Sequence, residues 1–323
     1  MNLSLNKKYN FDIDASVNTY AGELALPYVT AALLGAETIA KGRCRFLEGI
    51  VGKTVISGLA TTDPIVAANC DFSGGSNVAL TEQILNPSDL AVMEEVCRGT
   101  MYPTWIAANG RMERSGELPV AWGDFLLGAV AERTGSNLEN LLWAGASPFG
   151  TGFLSNDGVI DEAGIDASAC AGFAEATTSA AAWDNTNILA NLSAIFDTAA
   201  ATPGILGKPG AGFYVSYEAY AFFLQAQALQ NTGAGFNQSL EGASYLGYPV
   251  YATSGIPNSV DVAVFTYPDN LVVGANSYTA DISAQLIPTY QYDGSDNVRI
   301  SMRFAVGVQT GVATDGVVGF LFT

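Results

Sequence analysis

Residues 297–309 read NVRISMRFAVGVQ. Val298, Ile300, Met302, Phe304, Val306 and Val308 alternate with Arg299, Ser301, Arg303, Ala305, Gly307 and Gln309. Strict alternation over this length is the signature of a β-strand with one buried face. The stretch YDGSDN before it, residues 292–297, has the composition of a hairpin turn. Its calcium-like acidic content lacks the spacing of an EF-hand loop.

The same reading works outward in both directions. VVGFLFT, residues 317–323, is a last short strand. Upstream, YPVYAT (248–253), DVAVFTY (261–267) and NLVVGAN (270–276) are short strands separated by Pro and Gly turns. GFYVS (212–216) is a strand whose Ser216 can cap a helix running from Tyr217 to about Gln230. Ile188, Leu189, Leu192, Ile195 and Phe196 make the stripe of a helix over 187–200, with Asp184 as its candidate cap. Pro119 opens a longer helix to residue 143, in which Trp122, Phe125, Leu126, Ala129, Val130, Leu138, Leu141 and Leu142 share a face. Gly123, Gly128 and Gly135 weaken it and allow either close packing or a break near Thr134–Ser136.

The first third is less regular. Residues 1–20 are polar and read as an extended arm. Residues 21–40 carry a short helical face of Leu24, Tyr28, Ala31, Leu34 and Ile39. Within 43–77, two β-prone runs, GIVGKTVIS (49–57) and PIVAANCDF (64–72), flank a polar LATTD. They predict a two-stranded excursion with no core of its own, which is marginal in water unless it lies on something. Residues 88–108 read as helical, bent or ended by Pro103, and 144–182 as loop with short elements. Helices and strands interleave irregularly and nothing repeats, so the class is α+β.

Composition narrows the function. The 323 residues are 49% hydrophobic and only 14% charged, against about a quarter charged in an average protein. A surface this poor in charge suits a molecule covered by neighbours. The net charge is −18, which excludes general nucleic-acid binding through phosphates. Residues 1–114 hold nine basic and twelve acidic residues, a net of −3, whereas residues 115–323 carry −15. Lys7, Lys8, Arg43, Arg45 and Lys53 in the first third are therefore the candidate contacts to acidic neighbouring subunits.

No histidine is present, which removes the commonest general base and metal ligand and any Ser-His-Asp triad. Cys44, Cys70, Cys97 and Cys170 match no zinc or redox spacing. Gly52-Lys53-Thr54 ends like a P-loop, but Leu47 stands where the motif needs its first glycine. Gly207, Gly210 and Gly212 precede a strand rather than follow one, the reverse of a dinucleotide fingerprint. The carboxylate pairs Glu94–Glu95 and Asp161–Glu162 sit in no pocket pattern. No catalytic, cofactor or metal residues are assigned. The start MNLSLNKKYNFDID is not a signal peptide, and no apolar run spans a membrane.

The order of these segments resembles the tailed-phage major capsid proteins of the Hong Kong 97-type fold. GFYVSYEAYAFFLQAQ is similar to the strand-to-helix segment of that family's axial A-domain. LEGASYLGYPVYAT and DVAVFTYPDNLVVGAN are similar to the strands after it. VRISMRFAVGVQ is similar to the long strand of the peripheral P-domain, and the helix ending NLLWAGAS to its spine helix. The resemblance implies an N-terminal arm (1–20), a short helical segment (21–42) and an E-loop (43–77). It further implies a P-domain (78–145) with spine helix 119–143, an A-domain (146–276), and P-domain return strands to the C-terminus (277–323). It implies self-assembly through hexamers and pentamers into an icosahedral shell around double-stranded DNA. Scaffold, portal and decoration proteins are the implied partners, the virion the location, and a host bacterial cytoplasm the place of synthesis. Many members begin with a cleavable scaffolding segment. Here the arm is expected to begin near Met1, so a separate scaffold, or none, is expected. A nanocompartment shell of the same fold is the alternative. A secreted surface protein, suggested by the Gly, Ser, Thr and Asn content, would need a signal peptide.

Overall fold

The computed structural model describes residues 19–21, 31–61, 78–97, 120–145, 152–154, 173–179, 181–202, 204–229, 242–259, 261–276, 283–289, 294–295 and 297–321. Lys7, Lys8, most of the expected arm, the run 64–72 and residues 98–119 lie outside them.

The alternating stretch is the organising strand of the first sheet. Numbered in chain order, it is β13, Asn297–Thr310. Its six alternating apolar side chains enter the main core beside Leu126, Leu127, Ala131, Leu138 and Leu142 of the long helix α2, Val120–Ala144. One edge of β13 pairs with β5 (Ser88–Cys97), from Asn297↔Cys97 to Val306↔Ser88. The other edge takes β12 (Ser283–Pro288) and then β11 (Leu271–Asn276), both antiparallel. β1 (Thr19–Ala21) adds outside β12, and β2 (Arg45–Glu48) adds parallel to β11.

β5 corrects the helical reading of residues 88–108 over its own length. Ala, Met and two Glu favour a helix intrinsically. Leu90, Val92 and Val96, however, carry a period of two toward the core, and the long edge of β13 offers ten residues of pairing. Tertiary pairing overrides local propensity here.

The helix α2 has 25 residues and spans about 37 Å. It does not break at Thr134–Ser136. Gly135 is instead a contact point: a Cβ there would stand 2.5 Å from Gly35 Cα and 2.9 Å from Ala32 O. Residues 31–34 are helical and cross α2 backbone to backbone at this pair.

The second sheet runs β6 (Ala174–Thr177), β14 (Val317–Phe320), β10 (Val262–Thr266), β7 (Gly212–Ser216), β9 (Tyr248–Thr253) and β8 (Ser244–Tyr245). β7, β10 and β14 are buried at every position. Alternate side chains serve opposite faces. Tyr214, Val262, Val264 and Val318 join the main core, while Phe213, Val215, Phe265 and Val317 join a second. Helices α3 (Ile188–Ala201) and α4 (Tyr217–Leu229) cover the latter face. Ser216 Oγ accepts from Ala219 N–H at 3.2 Å, the expected cap of α4. Asp184 instead organises the turn ahead of α3, accepting from Thr186 and Asn187, and Asn187 is the N-cap residue.

The two sheets exchange strands. β11, within the stretch expected for the A-domain, pairs in the first sheet, and β14, within the expected return, pairs in the second. Both crossings meet at Asn270, which is 1% exposed. Its carbonyl accepts from Gly311 N–H and its side-chain oxygen from Val312 N–H, while its amide donates to Thr266 Oγ1 and Asp315 O. A second joint is made by Glu139 of α2, fully buried. Its carboxylate accepts from Thr38 N–H (2.9 Å), Thr38 Oγ1 (2.5 Å), Thr253 Oγ1 (2.6 Å) and Trp143 Nε1 (3.1 Å). Gly255 lets the turn after β9 lie on the helix, since a Cβ there would meet Trp143 and the Glu139 carbonyl.

Two glycine substitutions in α2 separate these effects. Gly135→Ala drives a methyl into backbone and is expected to cost roughly 1–3 kcal/mol. Gly128→Ala meets nothing within 4 Å and is expected to stabilise by roughly 0.5–1 kcal/mol. Denaturant unfolding of the two variants checks the opposite signs.

Candidate assembly surfaces

A two-stranded ribbon is formed by β3 (Thr54–Thr61) paired with β4 (Val78–Leu85), a sheet of its own; β3 overlaps the first expected run, whereas the strand expected at 64–72 lies outside the described residues and β4 falls in neither run. The ribbon's return strand lies past residue 77, the boundary expected for the loop. The root is seated in a slot that glycine makes. Gly274 and Gly307 are cross-strand partners in β11 and β13. Over Gly274 sit Leu85 and Ile50, and over Gly307 the backbone of Asn86 and Pro87. Gln309 donates to Gln83 at 2.9 Å beside them. Farther out, Val55 and Ile84 face each other across the ribbon, 54% and 57% exposed, with Val51 at 69%. These apolar residues were not among the candidates from charge. Val51 and Val55 fall in the β-prone run 49–57; Ile84 lies outside both runs read from the sequence.

The described cations divide. Arg45, on β2, and Lys53, just before β3, are exposed, and among the described residues neither makes an ion pair. Arg43 is 6% exposed. Its guanidinium donates to Ala252 O at 2.6 Å, lies 4.7 Å from the Tyr251 ring centroid and stands 3.7 Å from Glu37. Its carbonyl accepts from Tyr214 OH. Tyr251, Tyr214, Trp143 and Phe153 pack ring against ring in succession behind it. Arg43 thus ties the stretch after α1 (Glu37–Ala40) to the second sheet of the same chain.

Glu37 completes that clamp. It accepts from Lys41 Nζ (2.8 Å), Tyr217 OH (2.9 Å) and Ser254 N–H (3.2 Å). Burial alone would raise its carboxyl, but these hydrogen bonds outweigh it and hold the group below its ordinary value of 4.5. Burial, with the Glu139 carboxylate nearby, pushes the Cys44 thiol up to about 12, which leaves it protonated and inert.

Two further surfaces carry exposed apolar character. A groove of about 980 Å3 between β5 and α2 is lined by Leu90, Val92, Val96, Leu126, Val130 and Leu141 among others. At the edge of the second sheet, Leu229 and Leu246 are exposed. Between Thr134 and Val298 the only basic residue is Lys208, and it lies 3.7 Å from Asp315 and over the Tyr267 ring. Among the described residues there is no cluster of metal-ligating side chains, and no helix is long and apolar enough to cross a membrane.

No protein-family model and no curated protein sequence matches the chain. Solved structures do. A chain of the capsid of a native GTA particle, computed with C5 symmetry, is 15% identical at a TM-score of 0.57, with 91% of each chain covered. A chain of Gordonia phage Cozz is 14% identical at 0.56, covering 88% of this chain and 86% of that one. One of Microbacterium phage Oxtober96 is 15% identical at 0.53, covering 89% and 90%. Likeness over nearly the whole of both chains establishes the fold: α+β, of the Hong Kong 97 type.

The Glu37 clamp has a pH signature. A carboxyl whose folded value is depressed adds stability above its unfolded value, and this is lost as pH falls through the folded value. Glu37→Gln is therefore expected to melt below the parent at pH 7, with the gap closing as pH drops below 4.5. Thermal melts of both proteins between pH 7 and pH 3 measure it. A gap independent of pH would show that the charge on Glu37 contributes nothing.

Proposed function

We propose that the chain is the major capsid protein of a tailed bacteriophage. Copies associate through hexamers and pentamers into an icosahedral shell that encloses double-stranded DNA. One observation carries the reading: in a fold shared with the capsid of a GTA particle, a rooted two-stranded ribbon holds Val55 and Ile84 out to solvent.

Such a ribbon is explained by a neighbour. The patch that protrudes differs from the surface that receives it, so the contact is heterologous and repeats around a ring. The β5–α2 groove takes a neighbouring copy in the same way. Each contact is modest, and many per subunit act together. Arg45 and Lys53, with Lys7 and Lys8 in the arm, meet acidic surface on adjacent copies and favour correct docking. The chain beyond residue 114, at −15, repels a packaged genome weakly, so DNA is enclosed without being bound by sequence. The role is structural rather than enzymatic. Scaffold, portal and decoration proteins belong to the reading as partners, the virion as its location and the host cytoplasm as the place of synthesis.

Electron microscopy of the expressed chain, with a nucleic-acid assay of native particles, tests the reading. Closed shells holding DNA support it. Shells holding an enzyme would point to a nanocompartment, and a monomer that never associates would sink the shell role altogether. At residue level, the double substitution Val55→Asp, Ile84→Asp removes two aliphatic contacts of roughly 1.5–3 kcal/mol each per interface. It is expected to abolish assembly while leaving subunit melting nearly unchanged. Lys53→Glu is expected to weaken assembly less, and in a salt-dependent way. Normal shells from the double variant would remove the ribbon from the mechanism.

A further inference from the structure

The turn joining β8 to β9 runs against the residue preferences of its geometry. Leu246 and Gly247 alone connect the strands, with Tyr245 opposite Tyr248. Leu246 has φ 51° and Gly247 φ 88°, so both central residues are left-handed, as a type I′ turn requires. That geometry favours Asn, Asp or Gly at its first central position. In leucine the Cβ crowds the backbone, and the side chain has no hydrogen bond to offer in return. Among the described residues Leu246 is the one non-glycine with positive φ.

The subunit leaves this leucine uncovered, at 58% exposed. The flanking residues are held firmly. Tyr245 packs on Phe213 and Phe223 and donates to Leu189 O. Tyr248 packs on Phe196 and Phe265 and donates to Leu206 O. The hairpin is thus a rigid mount, and Leu246 is its exposed tip. Gln227 of α4 donates to Ser244 O, and α4 ends at Leu229, 70% exposed. Two exposed leucines flank one helix–hairpin contact.

We propose that Leu246 is a docking knob, buried against a second copy of this chain. The strained position is tolerated because that contact takes the side chain out of water. A second copy is the occupant because the fold is shared with a chain of the capsid of a GTA particle, the likeness on which the shell reading rests. A rigid, identical tip on every copy would meet the same neighbouring surface in a closed ring of copies. The inference rests on the capsid reading and names a contact that the reading leaves open.

Leu246→Asn gives opposite signs in two measurements. Asparagine suits the left-handed position, so dissociated subunits are expected to melt roughly 1–3 °C higher. Loss of a buried leucine at every interface is expected to raise the concentration for half-assembly at least about tenfold. Leu246→Met keeps an apolar tip and is expected to assemble like the parent. If Leu246→Asn closes shells at the parental concentration while the parent also does, this inference alone falls. If Leu246→Asn melts lower, the leucine packs within its own subunit and the inference also falls. A parent that never assembles removes the capsid reading and the knob together.

Discussion

A buried carboxylate holds the subunit's parts in one arrangement. Glu139 projects from the long helix into a site with no solvent, where an unsatisfied carboxylate would cost several kcal/mol. It is tolerated because four donors converge on it: two from Thr38, one from Thr253 and one from Trp143 one turn along. Those donors come from three parts of the chain: the first helical turn, the second sheet and the helix itself. Displacing any one of them leaves a buried carboxylate oxygen short of a donor, which is more expensive than losing an exposed hydrogen bond. The polar network therefore specifies position, while the surrounding aromatic and aliphatic core supplies most of the stability.

Glycine supplies the other constraint. Gly35 and Gly135 let two helical segments touch at the backbone, and Gly274 with Gly307 opens the slot in which the ribbon is rooted. In each case the missing side chain is the contact. Read along the chain, Gly135 allows either close packing or a break, and Gly307 is an ordinary member of an alternating strand. The choice for Gly135 and the role of Gly307 are decided only by the partner segments, a hundred or more residues away in sequence, placed against them.

This explains what could be read from the residues and what could not. β13 was legible by its period of two, the β7–α4 unit by a short apolar run ending in a cap residue, and β9 to β11 as short β-prone runs separated by Pro and Gly turns. β5 was not, because its Ala, Met and Glu content favours a helix and only the edge of β13 decides otherwise. Of the ribbon only the first strand was legible, as a β-prone run without a core; its partner, 78–85, carries no such run and is decided by pairing with β3. Charge was a poorer guide to the surface. Arg43 looks like Arg45 in the sequence, two positions away. But β2 starts at Arg45, and the clamp with Glu37, Ala252 and Tyr251 takes Arg43 inside.

On the proposed capsid reading, the separation between interior and surface would bear on how a shell closes. The buried Glu139, Asn270 and Arg43 find their partners within the subunit, whereas apolar exposure concentrates on outlying elements such as the ribbon and the β8–β9 hairpin. Weak contacts add up only if geometry permits them to form simultaneously, and the gain disappears when it does not. A ribbon contact and a hairpin contact on one copy lie on different sheets. Their spacing is therefore set by whatever joins the sheets, namely the Glu139 site and the paired crossings at Asn270. On that reading the buried polar joints would matter to assembly without touching a neighbour: they would convert several marginal surfaces into one cooperative interface.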